Sequence, residues 1–276
     1  MTHEIDLTGV IDLHVHSAPD DRPRLLDDLG VARAAAEAGL RAIMFKNHNT
    51  LTADRAALVA PQAPGLLVLG GLALNAQVGG LNPAAVEYAL ALGARQVWLP
   101  TLSAGNHRRH AGQAGGIELL NDRGELVDAV FEVLGLLAAK DATLGTGHIS
   151  FAEMAVLIPA ARASGLKQII VTHPEHPAVH LTVEQQRALA GRGVWFERCY
   201  VSTTPSGGGV PMARMVDDIR ALGSESTILS TDLGQAENPA PAPGFRLYLA
   251  ALAEAGFTQP ELDRMARHNP AQALGL

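Results

Sequence analysis

The chain has 276 residues, of which 47% are hydrophobic and only 4% are aromatic, and its formal net charge is −7. Its single cysteine excludes internal disulfides and metal sites built from thiolate clusters. The negative charge, with no basic run longer than His-Arg-Arg-His at 107–110, argues against a nucleic-acid partner.

Eight short apolar runs rich in β-forming residues predict eight strands. In chain order they read GVIDLHVH, RAIMFKNH, GLLVLGGLALN, RQVWLPT, TLGTGH, QIIVTH, GVWFERCY and STILSTD. Segments with helical periodicity separate them, and several end in glycine before the next run, at Gly39, Gly165 and Gly193. Strands that alternate with helices pair in parallel. We therefore predict one α/β domain over residues 1–276, a (β/α)8 TIM-like barrel with its active site at the C-terminal ends of the strands.

An open, doubly wound sheet is the competing arrangement. It would require a glycine-rich phosphate-binding loop after an early strand, whereas the loop after the first run reads HSAPDDRPRLLDD. The sequence therefore favours the barrel.

The first run ends with two histidines at alternate positions, His14 and His16. Residues i and i+2 of a strand point to the same face, so the two imidazoles are expected side by side. Alone, this pattern fits a hydrogen-bonded pair as well as half of a metal site.

The other runs also end in residues that carry chemistry. Together the run ends supply His14, His16, Lys46, His48, Thr101, His148, His173, Glu197 and Asp232. In a barrel, all of these ends meet at one rim. Imidazoles with a carboxylate and no thiolate indicate a divalent metal, with Zn²⁺ expected first and Mn²⁺, Fe²⁺ or Ni²⁺ as alternatives. Such a metal supplies hydroxide at neutral pH, and Asp232 is expected to orient the water and carry its proton.

This arrangement resembles the amidohydrolase superfamily of metal-dependent hydrolases over nearly the whole chain. The motifs that carry the resemblance are HVH, GTGH, VTHPEH, STD and the closing NPAQALGL. The resemblance implies a metal site made by His14, His16, His148, His173 and Asp232, with Asp232 also serving in proton transfer.

One departure concerns the number of metals. Family members with two metals often bridge them by a carboxylated lysine or a glutamate at the end of strand four, where this chain reads WLPTLSAGNH. Three solutions stay open: a mononuclear site, a bridge from Lys46, or a carboxylate from Glu197. We expect one tightly held metal and leave a second ion open.

The N-terminal half is also similar to the polymerase-and-histidinol-phosphatase (PHP) family, through IDLHVHSAPDD and the histidine of KNH. Asn47 replaces the acid expected before His48, strand three ends without a glutamate, and the last strand lacks Asp-x-His. We therefore expect a hydrolase of an amide, lactone or ester bond. A phosphoesterase, a mononuclear decarboxylase and a barrel that binds metal without catalysis are the alternatives.

Several further residues are candidates for the second metal or for the substrate. Lys46, His48 and Glu197 fit either role, and His107, Arg108, Arg109 and His176 are candidates for substrate binding. A carboxylated substrate is suggested by Lys46 and by the two arginines in the long loop after strand four. His180 fits the surface as well as the pocket, Cys199 is expected to be a small buried hydrophobe, and His3 and His268 are expected to be peripheral.

No signal-peptide pattern and no apolar stretch of bilayer-spanning length occurs in the sequence. We expect a cytoplasmic protein that acts on a small molecule and has no membrane partner. The sequence leaves a homo-oligomer open.

Overall fold

A computed structural model describes residues 5–276, and its eight strands form one parallel sheet in chain order. The strands are β1 Ile11–Val15, β2 Ala42–Phe45, β3 Leu67–Ala73, β4 Gln96–Trp98, β5 Thr143–Gly145, β6 Ile169–Thr172, β7 Trp195–Cys199 and β8 Thr227–Ser230. The predicted TIM-like barrel is confirmed. His3 lies outside the described residues.

Eleven α-helices are present in the described part of the chain. They are α1 Asp28–Glu37, α2 Ala53–Val59, α3 Pro83–Ala91, α4 Gly105–His110, α5 Asp128–Ala139, α6 Phe151–Ala163, α7 Val183–Ala190, α8 Met212–Leu222, α9 Pro241–Glu254, α10 Gln259–Asp263 and α11 Asn269–Leu274. Helix α6 begins with a capping box in which Ser150 and Glu153 satisfy each other's backbone N–H. Gly165, just after this helix, has a φ of 84°, which agrees with the predicted helix end.

The barrel closes between β1 and the residues that follow β8. The backbone N–H of Asp232 donates to the carbonyl of His14 over 2.7 Å, and the N–H of His16 donates to the carbonyl of Leu233 over 2.8 Å. The residues predicted to bind metal therefore also make the hydrogen bonds that join the first and last strands.

The largest fully buried side chain is Trp98 of β4, which lies in the barrel interior beneath this rim and packs with Leu13, Met44 and Ile170. Gly71 on β3 and Gly145 on β5 make room for the indole. A Cβ on Gly71 would lie 2.6 Å from the Trp98 ring, and one on Gly145 would lie 2.9 Å from its Nε1. Two glycines, one on each strand beside β4, thus leave room for the indole at the bottom of the active-site end.

Strand β1 carries one extra residue relative to β2. Asp12 pairs with Ile43 and Val15 pairs with Phe45, so three steps in β1 correspond to two in β2. Such a bulge bends the strand and changes the direction of the side chains beside it, and here that side chain is His14.

Among residues 5–276, no helix has both the length and the apolar character needed to cross a membrane.

Candidate metal centre

A cavity of about 580 Å³ opens at the carboxyl ends of the strands. The cavity is lined mainly by polar and charged side chains, which are His16, Arg22, Arg24, Lys46, His48, His107, His148, His173, His176, Ser206, Asp232, Gln235 and Glu237. Most of the residues predicted from the strand ends therefore face one space.

The tightest group in this region is formed by His14, His16 and Asp232. The Nε2 atom of each imidazole lies 3.1 Å from Oδ1 of Asp232, and one ligand atom from each of the three residues lies within 4.8 Å of the others. Two ligands bound tetrahedrally to zinc at its usual bond lengths lie about 3.3 Å apart. The spacing and chemistry of these three donors therefore fit a divalent metal.

Two of the predicted site residues have an unusual backbone. Asp232 has a φ of 53° and His173 has a φ of 29°, a region that non-glycine residues rarely occupy. Local strain of this kind occurs often where a side chain must be aimed into a functional site.

A buried carboxyl group, Asp12, fixes the seam between β1 and β8 below the metal ligands. Its oxygens accept hydrogen bonds from the Thr231 hydroxyl over 2.6 Å and from the Thr231 backbone N–H over 3.0 Å. Burial raises the pKa of Asp12 to about 7. This contact holds the segment that carries Asp232 against the strand that carries His14.

Lys46 projects from the end of β2 between the indole of Trp98 and the histidines. Its Nζ lies 2.9 Å from Nε2 of His14 and 5.2 Å from the centre of the Trp98 ring. Burial lowers the pKa of Lys46, while the charges of Asp232 and Glu197 oppose that effect. Lys46 is thus a buried amine in contact with a predicted metal ligand.

Four further imidazoles line the cavity, and the ring centre of His173 lies 6.0 Å from that of His14. His148 and His173 lie with ring centres 4.8 Å apart, His176 lies 4.8 Å from His173, and Nδ1 of His107 is 2.8 Å from Nδ1 of His148. Burial lowers the pKa of all four, that of His176 to about 4. They are therefore neutral near pH 7, which is the form that binds metal. The Nδ1 atom of His173 has no hydrogen-bond partner among the described residues.

His48 lies beside the first pair of histidines. Its ring stacks on His16 with centres 4.9 Å apart, and its Nδ1 is 2.9 Å from the Thr101 hydroxyl. Asn75 in turn donates to Thr101 over 2.6 Å. His48 thus reaches the cavity in an orientation fixed by the ends of β3 and β4.

Glu197 and Cys199 of β7 lie behind His14, away from the cavity lining. Oε2 of Glu197 is 3.4 Å from Nδ1 of His14, and Sγ of Cys199 is 3.7 Å from the same atom. The structure therefore places Glu197 on the far nitrogen of a predicted ligand. Cys199 is buried, as expected.

The predicted arginine pair does not line the cavity. Arg109 forms an ion pair with Glu118, and Nε of Arg108 donates to the carbonyl of Ala114 over 2.9 Å. Their neighbour His107, on the short helix α4, does face the cavity. His180 and His268 are exposed.

Sequence reasoning missed two arginines from the loop after β1, Arg22 and Arg24, which line the cavity. Arg24 pairs with Asp20 at 2.7 Å and donates to Nδ1 of His16 over 3.2 Å. Arg22 has no side-chain hydrogen bond or ion pair to any of residues 5–276. The basic residues of DDRPR, which begins four residues after His16, were the available signal.

Comparisons with known proteins place the chain in a family and confirm its fold. The model of a "Family of unknown function (DUF6282)" matches residues 9–197. No curated protein matches the chain. An amidohydrolase from Pseudomonas aeruginosa is similar in structure, with a TM-score of 0.65 and 13% identity over 97% of this chain and 95% of that one.

Two further solved structures share the fold. A lactonase from Listeria monocytogenes has a TM-score of 0.64 and 13% identity, over 98% of this chain and 94% of its own. A putative 2-pyrone-4,6-dicarboxylic acid hydrolase from Pseudomonas putida has a TM-score of 0.62 and 17% identity, over 98% of both chains.

Proposed function

Since the chain belongs to DUF6282, a family of unknown function, we propose from its own site that it is a metal-dependent hydrolase. It cleaves an amide, lactone or ester bond of a small substrate, with one divalent ion held by His14, His16 and Asp232, zinc being the first candidate. The observation that carries this proposal is the position of one Asp232 oxygen, 3.1 Å from Nε2 of both histidines at the cavity.

A divalent metal bound there supplies Lewis acidity, which lowers the pKa of water and polarises a carbonyl oxygen. The chain's own residues supply the proton transfer. Burial acts to raise the pKa of Asp232, but His14 and His16 hold it well below its usual value. A carboxylate that stays ionised accepts the proton of the attacking water and passes it to the leaving group.

The imidazoles of His148 and His173, which line the same cavity, provide a second set of donors. Because burial keeps both neutral, they accept a hydrogen bond from the substrate or bind a second ion. The ring of His107, beside His148, and the ring of His48, stacked on His16, also line the cavity and narrow the space around the reacting carbonyl.

The substrate is a small molecule with a carboxylate, and Arg22 is the residue that binds this group. Arg22 lines the cavity mouth and makes no side-chain ion pair with any described residue, whereas the guanidinium of Arg24 is taken up by Asp20 and His16. A free guanidinium favours a carboxylate, which it binds through two parallel hydrogen bonds. The names of the similar structures, an amidohydrolase, a lactonase and a dicarboxylic acid hydrolase, agree with this chemistry.

Activity panels test the proposal. The purified protein, loaded with Zn²⁺ or Mn²⁺, is assayed on lactones, cyclic amides, esters and phosphomonoesters, each with and without a carboxylate. We expect turnover in one of the first three classes that is lost on chelation. Turnover of phosphomonoesters alone, or decarboxylation without hydrolysis, would show that the proposed reaction is wrong.

A further inference from the structure

The two nitrogens of the His14 imidazole face different surroundings. Nε2 lies on the side of the cavity, 3.1 Å from Oδ1 of Asp232 and 2.9 Å from Nζ of Lys46. Nδ1 lies on the inner side, 3.4 Å from Oε2 of Glu197. Both His14 and Glu197 are fully buried, so water does not reach this contact.

We propose that Glu197 is a positioning residue that keeps the ring proton of His14 on Nδ1 and so leaves Nε2 free to bind metal. A carboxylate only accepts hydrogen bonds, so Nδ1 donates across this contact, while Nε2 either donates to Asp232 or accepts from Lys46 until a metal takes its lone pair. A neutral imidazole carries one proton, and placing it on Nδ1 leaves the lone pair on Nε2. The inference rests on the proposed function only in taking His14 as a metal ligand.

The position of Glu197 on β7 makes this contact specific. Side chains alternate along a strand, so Glu197 and Cys199 point into the barrel while Arg198 points outward to its ion pair with Glu175. Oε1 of Glu197 has no hydrogen-bond partner among the described residues. His14 is therefore the only side chain of the described structure that hydrogen-bonds to this buried carboxyl group.

An acceptor behind a metal-binding histidine fixes its tautomer and the orientation of its ring and makes it a stronger ligand. The 3.4 Å contact is at the long end of the hydrogen-bond range. The expected effect is therefore on metal affinity, and Glu197 itself does not touch the substrate.

An alternative interpretation is that the side chains of His14, Glu197 and Cys199 bind a second metal ion, deeper in the barrel. One ligand atom each from His14, Glu197 and Cys199 lies within 4.8 Å of the others. A deep ion would take the Cys199 thiolate as one of its three ligands. The positioning role of Glu197 needs no contribution from Cys199, so a variant at Cys199 distinguishes this role from a second metal site.

Zinc affinity, measured by competition with a chelator at pH 7.5, tests the proposal without any assay of turnover. We expect Glu197→Leu to weaken zinc binding about 10- to 100-fold. Glu197→Gln keeps an acceptor oxygen and is expected to bind within about threefold of the wild type. Cys199→Ala removes the other neighbour of Nδ1 and is expected to leave both affinity and stoichiometry unchanged.

Wild-type affinity in Glu197→Leu would overturn the proposal, as would the loss of one zinc equivalent in Cys199→Ala. If Glu197→Leu does not fold, the wild-type protein provides the test: ¹⁵N spectra of the zinc-loaded protein must show the His14 ring bound to zinc through Nε2 and protonated on Nδ1. Zinc bound through Nδ1, or an Nδ1 without a proton, would contradict the proposal. Failure of the proposed function would instead appear as absent hydrolysis with the zinc and tautomer results unchanged.

Discussion

Arg24 donates a hydrogen bond from a terminal guanidinium nitrogen to Nδ1 of His16 over 3.2 Å. A guanidinium cannot accept, so Nδ1 of His16 is the acceptor and the proton of the neutral ring lies on Nε2, facing Asp232. Burial lowers the pKa of His16 to about 3, which keeps the ring neutral. Glu197 favours a proton on Nδ1 of His14, whereas Arg24 favours a proton on Nε2 of His16, so the two histidines of one motif are held in different tautomers.

Metal binding at Nε2 of His16 requires Arg24 to give up this hydrogen bond. We therefore expect Arg24→Gln to tighten zinc binding roughly tenfold, which corresponds to the loss of about one charge-assisted hydrogen bond. The shorter glutamine side chain still offers a donor to Asp20. Chelator competition at pH 7.5 measures the change. Arg22→Gln, in the same loop but without a contact to His16, is the control for zinc affinity. Equal or weaker binding in Arg24→Gln would show that this contact does not oppose the metal.

Removal of both first-strand histidines should abolish the metal site. In His14→Ala/His16→Ala we expect bound transition metal, measured by elemental analysis of the purified protein, to fall from one equivalent or more to below about one tenth. His268→Ala, which removes an exposed imidazole far along the chain, is the matched control and should keep its metal. Less than about half an equivalent in the wild type, unchanged in the double variant, would refute the site.

Arg22 should govern the affinity for a carboxylated substrate and leave the chemical step unchanged. In Arg22→Gln we expect KM to rise about 10- to 100-fold with little change in kcat, since a hydrogen bond to a charged group contributes about 1.5–3 kcal/mol. Steady-state kinetics on an acid and on its neutral ester analogue provide the measurement, and only the acid should be affected. Arg109→Gln, whose arginine pairs with Glu118 outside the cavity, should behave like the wild type. A fall in kcat alone would assign Arg22 a different role.

The buried Asp12 should make stability depend on pH. Its pKa is raised from 3.8 to about 7 in the folded protein, so between these values the folded state binds more protons than the unfolded chain. Its contribution to stability is therefore full below about pH 4 and declines as the pH rises to 7. A shift from 3.8 to about 7 sets an upper limit of roughly 4 kcal/mol. Urea unfolding between pH 4.5 and 7.5 should give a flatter profile for Asp12→Asn than for the wild type; parallel profiles would contradict the assignment.

Gly71 should not tolerate a side chain, because its Cβ would lie 2.3 Å from the Gln96 carbonyl oxygen and 2.6 Å from the indole of Trp98. We expect Gly71→Ala to lower the free energy of unfolding by about 1–3 kcal/mol, the usual cost of overpacking. Gly135→Ala, inside α5 with no atom within 4 Å of the added carbon, should instead raise it by up to about 1 kcal/mol through helix propensity. Chemical denaturation of both variants measures the contrast, and a neutral Gly71→Ala would show that the barrel interior adapts.

Residues at strand ends could be located from the sequence because two local rules fix them. The alternation of side chains along a strand and the parallel order of a βα barrel bring His14, His16, His148 and Asp232 to one rim whatever the loops do. The same rules cover His173, which directly follows β6.

Residues in loops could not be located in this way. The sequence suggested that Arg108 and Arg109 bind an anionic substrate. In the structure, Arg109 pairs with Glu118 and Arg108 donates to a backbone carbonyl. Arg22 and Arg24 line the cavity instead, through the path of a loop that no periodicity describes. The position of Glu197 behind His14 also depends on the curvature and closure of the barrel, which a linear pattern of apolar residues does not encode.

The hydrogen bonds from Asp232 to His14 and from His16 to Leu233 run through the metal ligands themselves. A barrel can open locally only where two strands part, and at this join such an opening would pull the ligands away from one another. An ion bound by residues of both β1 and the segment after β8 stabilises the closed barrel, because it binds the closed form and not the open one. Metal should therefore slow amide hydrogen exchange at Asp232 and His16 more than at the β4–β5 pairing on the far side of the barrel. The proposed metal ion would then also control how often the barrel opens between β1 and β8.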